Sequence, residues 1–181
     1  MTHPLVDQLR FARSEWTRAL QDVTEQDARR QFPPMNCISW MIGHMAWQEQ
    51  MYWLERAQGI LAVPGLDHTV GVGRPASTPP LAQMWQAWHS VTDASDPYLD
   101  TLSGDELLGQ YTADGEVKPA TIGTNLLRVT YHYWYHIGES QAVRQLLGHQ
   151  DLPQFVGDIH RDVPYRPEAA DSSERIAVAT H

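Results

Sequence analysis

The composition of this 181-residue chain limits its class before any motif is considered. The length suggests one domain, and 42% hydrophobic residues are enough for a sizeable core. The formal net charge is −9, from 22 acidic and 13 basic residues. This charge opposes binding to nucleic acid or to an anionic membrane surface, because both depend on Lys and Arg. No apolar run reaches about eighteen residues, so the sequence predicts no spanning helix.

The start of the chain and its cysteine content predict a cytoplasmic protein. The segment Met1-Thr2-His3-Pro4 lacks the basic residues and the apolar stretch that mark a secretory signal. The single cysteine, Cys37, excludes an intrachain disulfide and fits a reducing compartment.

The first half of the chain predicts two long helices with a short one between them. Apolar residues at helical spacing predict a helix over residues 4–22: Leu5, Leu9, Ala12, Trp16 and Leu20. Thr24 can cap the short helix, which the segment Phe32-Pro33-Pro34-Met35 ends. Asn36 can cap the second long helix, over about residues 37–58.

The second long helix carries a histidine in the middle of its apolar face. His44 shares that face with apolar residues, and Gln48 and Glu55 are the other polar groups there. We therefore expect His44 to point inward. Four residues are predicted to point away from this face: Ser39, Glu49, Gln50 and Arg56.

Two long connections flank the third helix. Residues 60–79 are rich in Gly, Pro and Val, and a link of this length is uncommon and often functional. The third helix is predicted from about residue 81 to 102, with His89 on its inner stripe as a core or cleft histidine. We expect Asp96-Pro97 to kink or interrupt it. Residues 103–121 then form the second connection, with Asp114-Gly115 as the turn of a small hairpin.

The fourth helix carries a pair of histidines. It is predicted over residues 122–147, with Thr121 or Thr124 as its cap. His132 and His136 lie four residues apart, so their Cβ atoms are about 5–6 Å apart on one face. Two imidazoles at this spacing can bind one metal ion.

Residues 151–181 are predicted to form an extension that packs on the helices of residues 1–150. Apolar residues in its first part could contact the core, while the composition becomes polar and rich in alanine from about Arg166. We expect the end of the chain to be loosely held.

The three histidines allow two interpretations. Each one alone fits a core histidine that is hydrogen-bonded to a neighbour. Together they would need several partners, and each buried polar group without a partner costs about 1–3 kcal/mol. One divalent ion would satisfy all three rings, so a metal site and a set of core histidines both remain open on these grounds.

Glu139 and Gln48 are the candidate groups for orienting or deprotonating a nucleophile. Glu139 lies one turn after His136 and fits a fourth ligand, an acceptor for a ligand N–H or a general base. An ion pair between Glu139 and Arg128 or Arg144 is an equally good interpretation.

Two segments resemble motifs of the DinB-like (DinB/YfiT) superfamily. Residues 36–49, Asn-Cys-Ile-Ser-Trp-Met-Ile-Gly-His-Met-Ala-Trp-Gln-Glu, are similar to its second-helix motif. Residues 132–139, His-Tyr-Trp-Tyr-His-Ile-Gly-Glu, with Gln-Leu-Leu-Gly at 145–148, are similar to its fourth-helix motif. The resemblance covers about residues 4–150.

The resemblance implies an all-α four-helix bundle with up-down-down-up topology. It also implies a divalent metal ion held by His44, His132 and His136, usually zinc or nickel and in some branches iron. Homodimers are frequent among such proteins. Characterised members include thiol transferases that use bacillithiol or mycothiol, so a low-molecular-weight thiol is a candidate second cofactor. The branch with sulfoxide-synthase chemistry has a glutamate where this chain has Gly138, which argues against that reaction.

These observations lead to one functional expectation and two alternatives. We expect a metal-dependent enzyme in which a metal-activated water or thiol acts on a small molecule, as in a thiol S-transferase or a hydrolase. The first alternative is a non-catalytic stress-related or ligand-binding protein with a structural metal site. The second is a helical bundle without metal, which predicts histidines that do not converge.

Overall fold

The protein is mostly helical, with one small antiparallel sheet. The computed structural model describes residues 2–113, 115–154 and 156–167. Within these residues the chain forms eight helices and two strands. The helices are α1 Pro4–Leu20, α2 Glu25–Ala28, α3 Ile38–Glu49, α4 Leu66–Val70, α5 Leu81–Leu99, α6 Gly104–Leu108, α7 Ile122–Leu146 and α8 Ile159–Asp162, and the strands are β1 Gln110–Ala113 and β2 Glu116–Thr121. None of these helices is both long and apolar enough to cross a membrane.

Helix α3 lies at the centre of the packing. It contacts α5 and α7, while α1 packs along α7. Polar residues of α3 are therefore buried on several sides, with exposed fractions of 0% for Ser39 and Glu49. Pointing away from the His44 face therefore does not bring these residues to solvent. A single helical wheel assumes one buried side, whereas α3 has neighbours on several.

The end of α3 departs from the predicted regular helix. It continues as a π-helical segment, Gln50–Arg56, in which the backbone turn is wider than in an α-helix. The side chain of Gln50 makes two hydrogen bonds with the backbone of Val63. Nε2 of Gln50 donates to the Val63 carbonyl at 3.0 Å, and the Val63 amide donates to Oε1 of Gln50 at 2.7 Å. The predicted cap Asn36 is wrong, because the helix begins at Ile38 and Cys37 takes the N-cap position without a side-chain hydrogen bond.

Both long connections contain short elements of secondary structure. Residues 60–79 include α4, and residues 103–121 include α6 and the predicted hairpin. In the hairpin, Ala113 pairs with Glu116, and Gly115 adopts a positive φ of 76° in the turn. Asp114, the other predicted turn residue, lies outside the described residues.

Helix α5 runs without interruption through Pro97 to Leu99, contrary to the predicted break. The proline lies in the last turn, where it removes only one hydrogen bond close to the natural end of the helix. The predicted inner position of His89 is also wrong, because this residue is exposed. His89 follows the buried Trp88 in the helix, so its side chain points about 100° away from that of Trp88. Its ring packs against the ring of Trp88, with centroids 5.0 Å apart.

Helix α7 begins as predicted, and the segment after it contacts α1. The hydroxyl of Thr121 accepts a hydrogen bond from the Thr124 amide at 3.1 Å, which confirms Thr121 as the cap. Arg18 donates to the carbonyl of Gln154 at 2.6 Å, and Gln8 donates to that of Val163 at 3.2 Å. The loosely held tail lies almost wholly outside the described residues, and the division of the chain near residue 150 stays a prediction.

Candidate metal centre

The structure brings the three predicted histidines together. His44 comes from α3, and His132 and His136 come from successive turns of α7. One ring nitrogen from each lies within 4.8 Å of the others. The ring centroids of the α7 pair are 4.5 Å apart, and those rings lie 5.1 and 5.4 Å from the ring of His44. Three imidazoles at these separations could hold one metal ion.

The two histidines of α7 each have their Nδ1 atom occupied by a side-chain oxygen. Nδ1 of His136 lies 2.7 Å from Oε2 of Glu139, one turn later on the same helix. Nδ1 of His132 makes a short hydrogen bond with Oε1 of Gln48, which reaches across from α3. Carboxylate and amide oxygens accept hydrogen bonds, so both rings carry their proton on Nδ1.

The ring of His44 is oriented in the same way by a backbone group. Its Nδ1 lies 2.8 Å from the carbonyl oxygen of Val70, at the end of α4. The long connection therefore supplies an acceptor to the site. With all three Nδ1 atoms occupied, the nitrogens that remain for a metal ion are the three Nε2 atoms.

The Nε2 atom of His136 is the observation against which a metal ion can be tested. It is buried and has no hydrogen-bond partner among the described residues. A buried polar atom without a partner costs about 1–3 kcal/mol, so such atoms are rare unless something binds them. A divalent cation would satisfy this nitrogen, and three imidazole donors suit zinc, nickel and iron. The residues present therefore fit a metal ion.

The electrostatics favour the neutral form of two of the three histidines. Burial lowers the pKa of His44 to about 4, well below its ordinary value. Burial, followed by the neighbouring His136 and His44 and the charge of Arg128, lowers the pKa of His132 to about 3. Both imidazoles are therefore neutral at pH 7, which is the form that binds metal ions.

Aromatic side chains surround the cluster and leave it open on one side. The indole of Trp40 stacks on the ring of His44 with centroids 4.5 Å apart and an interplanar angle of 11°. The ring of Tyr135 meets that of His136 edge-on at 5.1 Å and is itself 67% exposed. His44 and His136 are buried, whereas His132 is only half-buried. The cluster therefore reaches the surface beside His132 and Tyr135.

The two candidate catalytic residues both contact the histidine rings. Of the roles considered for Glu139, the geometry supports the acceptor for a ligand N–H. No ion pair joins it to Arg128 or Arg144 among the described residues, and the guanidinium of Arg144 donates instead to the carbonyl of Ala19. A direct role of Glu139 or Gln48 towards a nucleophile stays a prediction.

One participant, Val70, was not identified from the sequence. It acts through its carbonyl oxygen, and a backbone acceptor has no side-chain signal in a sequence. The only available hint was the length of the connection that contains it.

The comparison with known proteins identifies the family of the chain. A sequence model of the DinB superfamily matches residues 8–140, a span that includes the three histidines, Gln48 and Glu139. A search of curated proteins finds no match for the chain. Because the matched span covers well over half of the sequence, the chain belongs to the DinB superfamily.

Proposed function

We propose that this protein is a divalent-metal-dependent enzyme that acts on a small molecule, as a thiol S-transferase or a hydrolase. The observation that carries the proposal is the state of the three imidazoles. Each has its Nδ1 held by an oxygen, and the remaining Nε2 of His136 is buried without a partner among the described residues.

His44, His132 and His136 would hold the metal ion, with zinc or nickel as the first candidates and iron as the third. When held by these three imidazoles, a divalent ion would keep its full charge and would supply Lewis-acid activation of a water or thiol nucleophile near neutral pH. Among the described residues, no further histidine, cysteine or carboxylate belongs to the cluster, which favours a catalytic site over a closed structural one.

The surrounding residues have defined tasks in this proposal. The carboxylate of Glu139 and the amide of Gln48 orient two of the rings. Trp40 covers the ring of His44 and limits access of water. A substrate would therefore approach from the open side, past the half-buried His132 and the exposed Tyr135.

Metal content tests the proposal directly. We expect about one zinc, nickel or iron ion per chain in the untagged protein, measured by mass spectrometry, because the site offers three neutral nitrogen donors. His132→Ala should reduce this content to near zero. His89→Ala is the matched control, since His89 is exposed on α5 and lies outside the cluster. A His132→Ala protein that keeps a tightly bound ion would contradict the ligand assignment.

One observation favours a structural metal site as a second candidate. His44 is held by the carbonyl of Val70, so an ion at the cluster would also tie the long connection to α3. Cobalt-substituted protein separates the two candidates. An enzyme with an exchangeable position should change its visible spectrum when a small thiol is added, whereas a closed site should not respond.

The proposal includes a specific arrangement of the four long helices and a second copy of the chain. We infer an up-down-down-up bundle of α1, α3, α5 and α7, and a homodimer in solution. Light scattering coupled to size-exclusion chromatography measures the mass, and a monomer at micromolar concentration would exclude the dimer.

A further inference from the structure

A buried ion pair lies directly beside the histidine cluster. Glu49 is fully buried, and its carboxylate accepts hydrogen bonds from Arg13 of α1, through Nε at 2.8 Å and through a short contact from Nη2. The hydroxyl of Tyr133 on α7 donates to the same carboxylate. That hydroxyl in turn accepts from Nε1 of Trp88 on α5 at 2.8 Å. One carboxylate of α3 thus connects α3 to α1 and α7, and through Tyr133 to α5.

The ion pair and the histidine cluster share adjacent residues on the same two helices. Gln48 of α3 bonds His132 of α7, and the next residue, Glu49, bonds the next residue of α7, Tyr133. We call these two pairs the α3–α7 rung. The rung joins the histidine cluster on one side of α3 to the ion pair on the other side. We call the ion pair, together with Tyr133 and Trp88, the charged cluster.

The rung sets the position of α3 along α7. A slip of one residue would move α3 by about 1.5 Å and rotate its side chains by about 100°. Such a slip would leave the Glu49 carboxylate without its donors inside the core, and an unpaired buried charge is strongly destabilising. The same slip would remove Oε1 of Gln48 from Nδ1 of His132.

We propose that Glu49 and Tyr133 are positioning residues for the three-histidine site. By fixing the register of α3 against α7, they hold Gln48 on His132 and keep that ring in the orientation that presents Nε2 to a metal ion. The effect on metal binding rests on the proposed function. The effect on the Gln48–His132 hydrogen bond holds with or without metal.

The test compares Tyr133→Phe with Tyr98→Phe in the full-length protein. Both changes remove one hydroxyl that is hydrogen-bonded inside the molecule, and the Tyr98 hydroxyl lies 3.2 Å from that of Tyr111, away from the rung. Nitrogen NMR of the metal-free protein reports which ring nitrogen of His132 carries the proton. We expect a single Nδ1–H tautomer in the wild type and in Tyr98→Phe, and a mixture of tautomers in Tyr133→Phe.

Zinc affinity, measured by competition with a chelator well below the unfolding temperature, gives the second readout. The dissociation constant for zinc should rise about tenfold in Tyr133→Phe, at the lower end of the effect of residues that orient metal ligands. It should stay at the wild-type value in Tyr98→Phe.

The two readouts separate the possible failures. A pure Nδ1–H tautomer and wild-type zinc affinity in Tyr133→Phe would overturn the positioning role, as would equal losses in both variants. A wild type that binds none of zinc, nickel and iron would overturn the proposed function, while the tautomer comparison would still decide whether the rung orients His132. If Tyr133→Phe does not fold, Glu49→Gln replaces it, because that change keeps the size of the side chain but removes the charge that accepts the Tyr133 hydrogen bond. The same tautomer and zinc results are then expected.

Discussion

The two polar clusters beside α3 are neighbours in sequence, yet they differ in how their hydrogen bonds are satisfied. In the charged cluster, Glu49 receives bonds from Arg13 and Tyr133, and the Tyr133 hydroxyl also receives one from Trp88. In the histidine cluster, the buried Nε2 of His136 has no partner among the described residues. A buried cluster with its bonds made can stabilise a fold by itself. A cluster with an unused buried acceptor points to a missing ligand.

The clusters also differ in charge at neutral pH. Burial alone would lower the pKa of Arg13, but the charge and hydrogen bonds of Glu49 hold it above its ordinary value. Burial and the charge of Glu49 raise the pKa of Tyr133 well above its ordinary value, so its hydroxyl keeps its proton and remains a donor. Burial has the opposite consequence for His44 and His132, whose lowered pKa values leave them neutral. The same low-polarity interior thus keeps Arg13 and Glu49 charged through pairing and leaves His44 and His132 neutral.

Replacing Glu49 should have the largest effect on stability. Glu49→Ala leaves Arg13 buried without its main partner, and we expect the free energy of unfolding to fall by about 3–5 kcal/mol in urea titrations. Asp100→Ala is the control, because it breaks an ion pair with Arg10 at the surface, with an expected loss of about 1 kcal/mol or less. Equal losses in the two variants would show that the charged cluster does not stabilise the core.

Acid should lower the free energy of unfolding of the metal-free protein, because His44 takes up a proton. The pKa of His44 in the folded state is about 4, below the ordinary value of 6.5, so the unfolded chain takes up protons first as the pH falls. The stability that depends on neutral His44 is therefore fully present above about pH 6.5 and is lost as the pH falls towards 4. The shift corresponds to about 3 kcal/mol.

Urea unfolding at several pH values, with a chelator present, measures this dependence. His44→Gln should show a shallower slope between pH 6.5 and 4, because it lacks the titrating group. An identical slope in the variant would mean that other groups cause the loss of stability in acid.

Gln48 should affect metal binding more than folding. Gln48→Ala removes the acceptor on Nδ1 of His132, and we expect the zinc dissociation constant to rise about 10–100-fold with little change in unfolding. Glu139→Gln keeps an oxygen acceptor for His136 but loses its charge, so its effect should be smaller. Isothermal titration calorimetry with zinc measures both. Wild-type affinity in Gln48→Ala would show that the metal site tolerates an unoriented His132.

Local patterns in the sequence were sufficient for the long helices and for the ligand candidates, but not for the short helices α4 and α6. Helix α7 and its two candidate caps, Thr121 and Thr124, followed from periodicity and capping chemistry, because both depend on neighbours within a few residues. The pair His132 and His136 followed from the four-residue spacing for the same reason. The π-helical turn at Gln50 did not follow, because a wider backbone turn leaves no distinct mark on an apolar pattern.

Tertiary packing decided which residues of α3 contact residues of the other helices. A wheel for α3 correctly placed His44 and Gln48 on one face, but it could not show that the opposite side, with Glu49, would also be enclosed. That outcome depends on α3 having neighbours on several sides. The hydrogen bond that Nδ1 of His44 donates to the Val70 carbonyl depends on the same packing. The sequence by itself therefore determined the three histidines, Gln48 and Glu139 as candidates and their faces on α3 and α7. Only the packing of α1, α3, α5 and α7 decided which of them touch, because contacts between distant segments depend on the whole core.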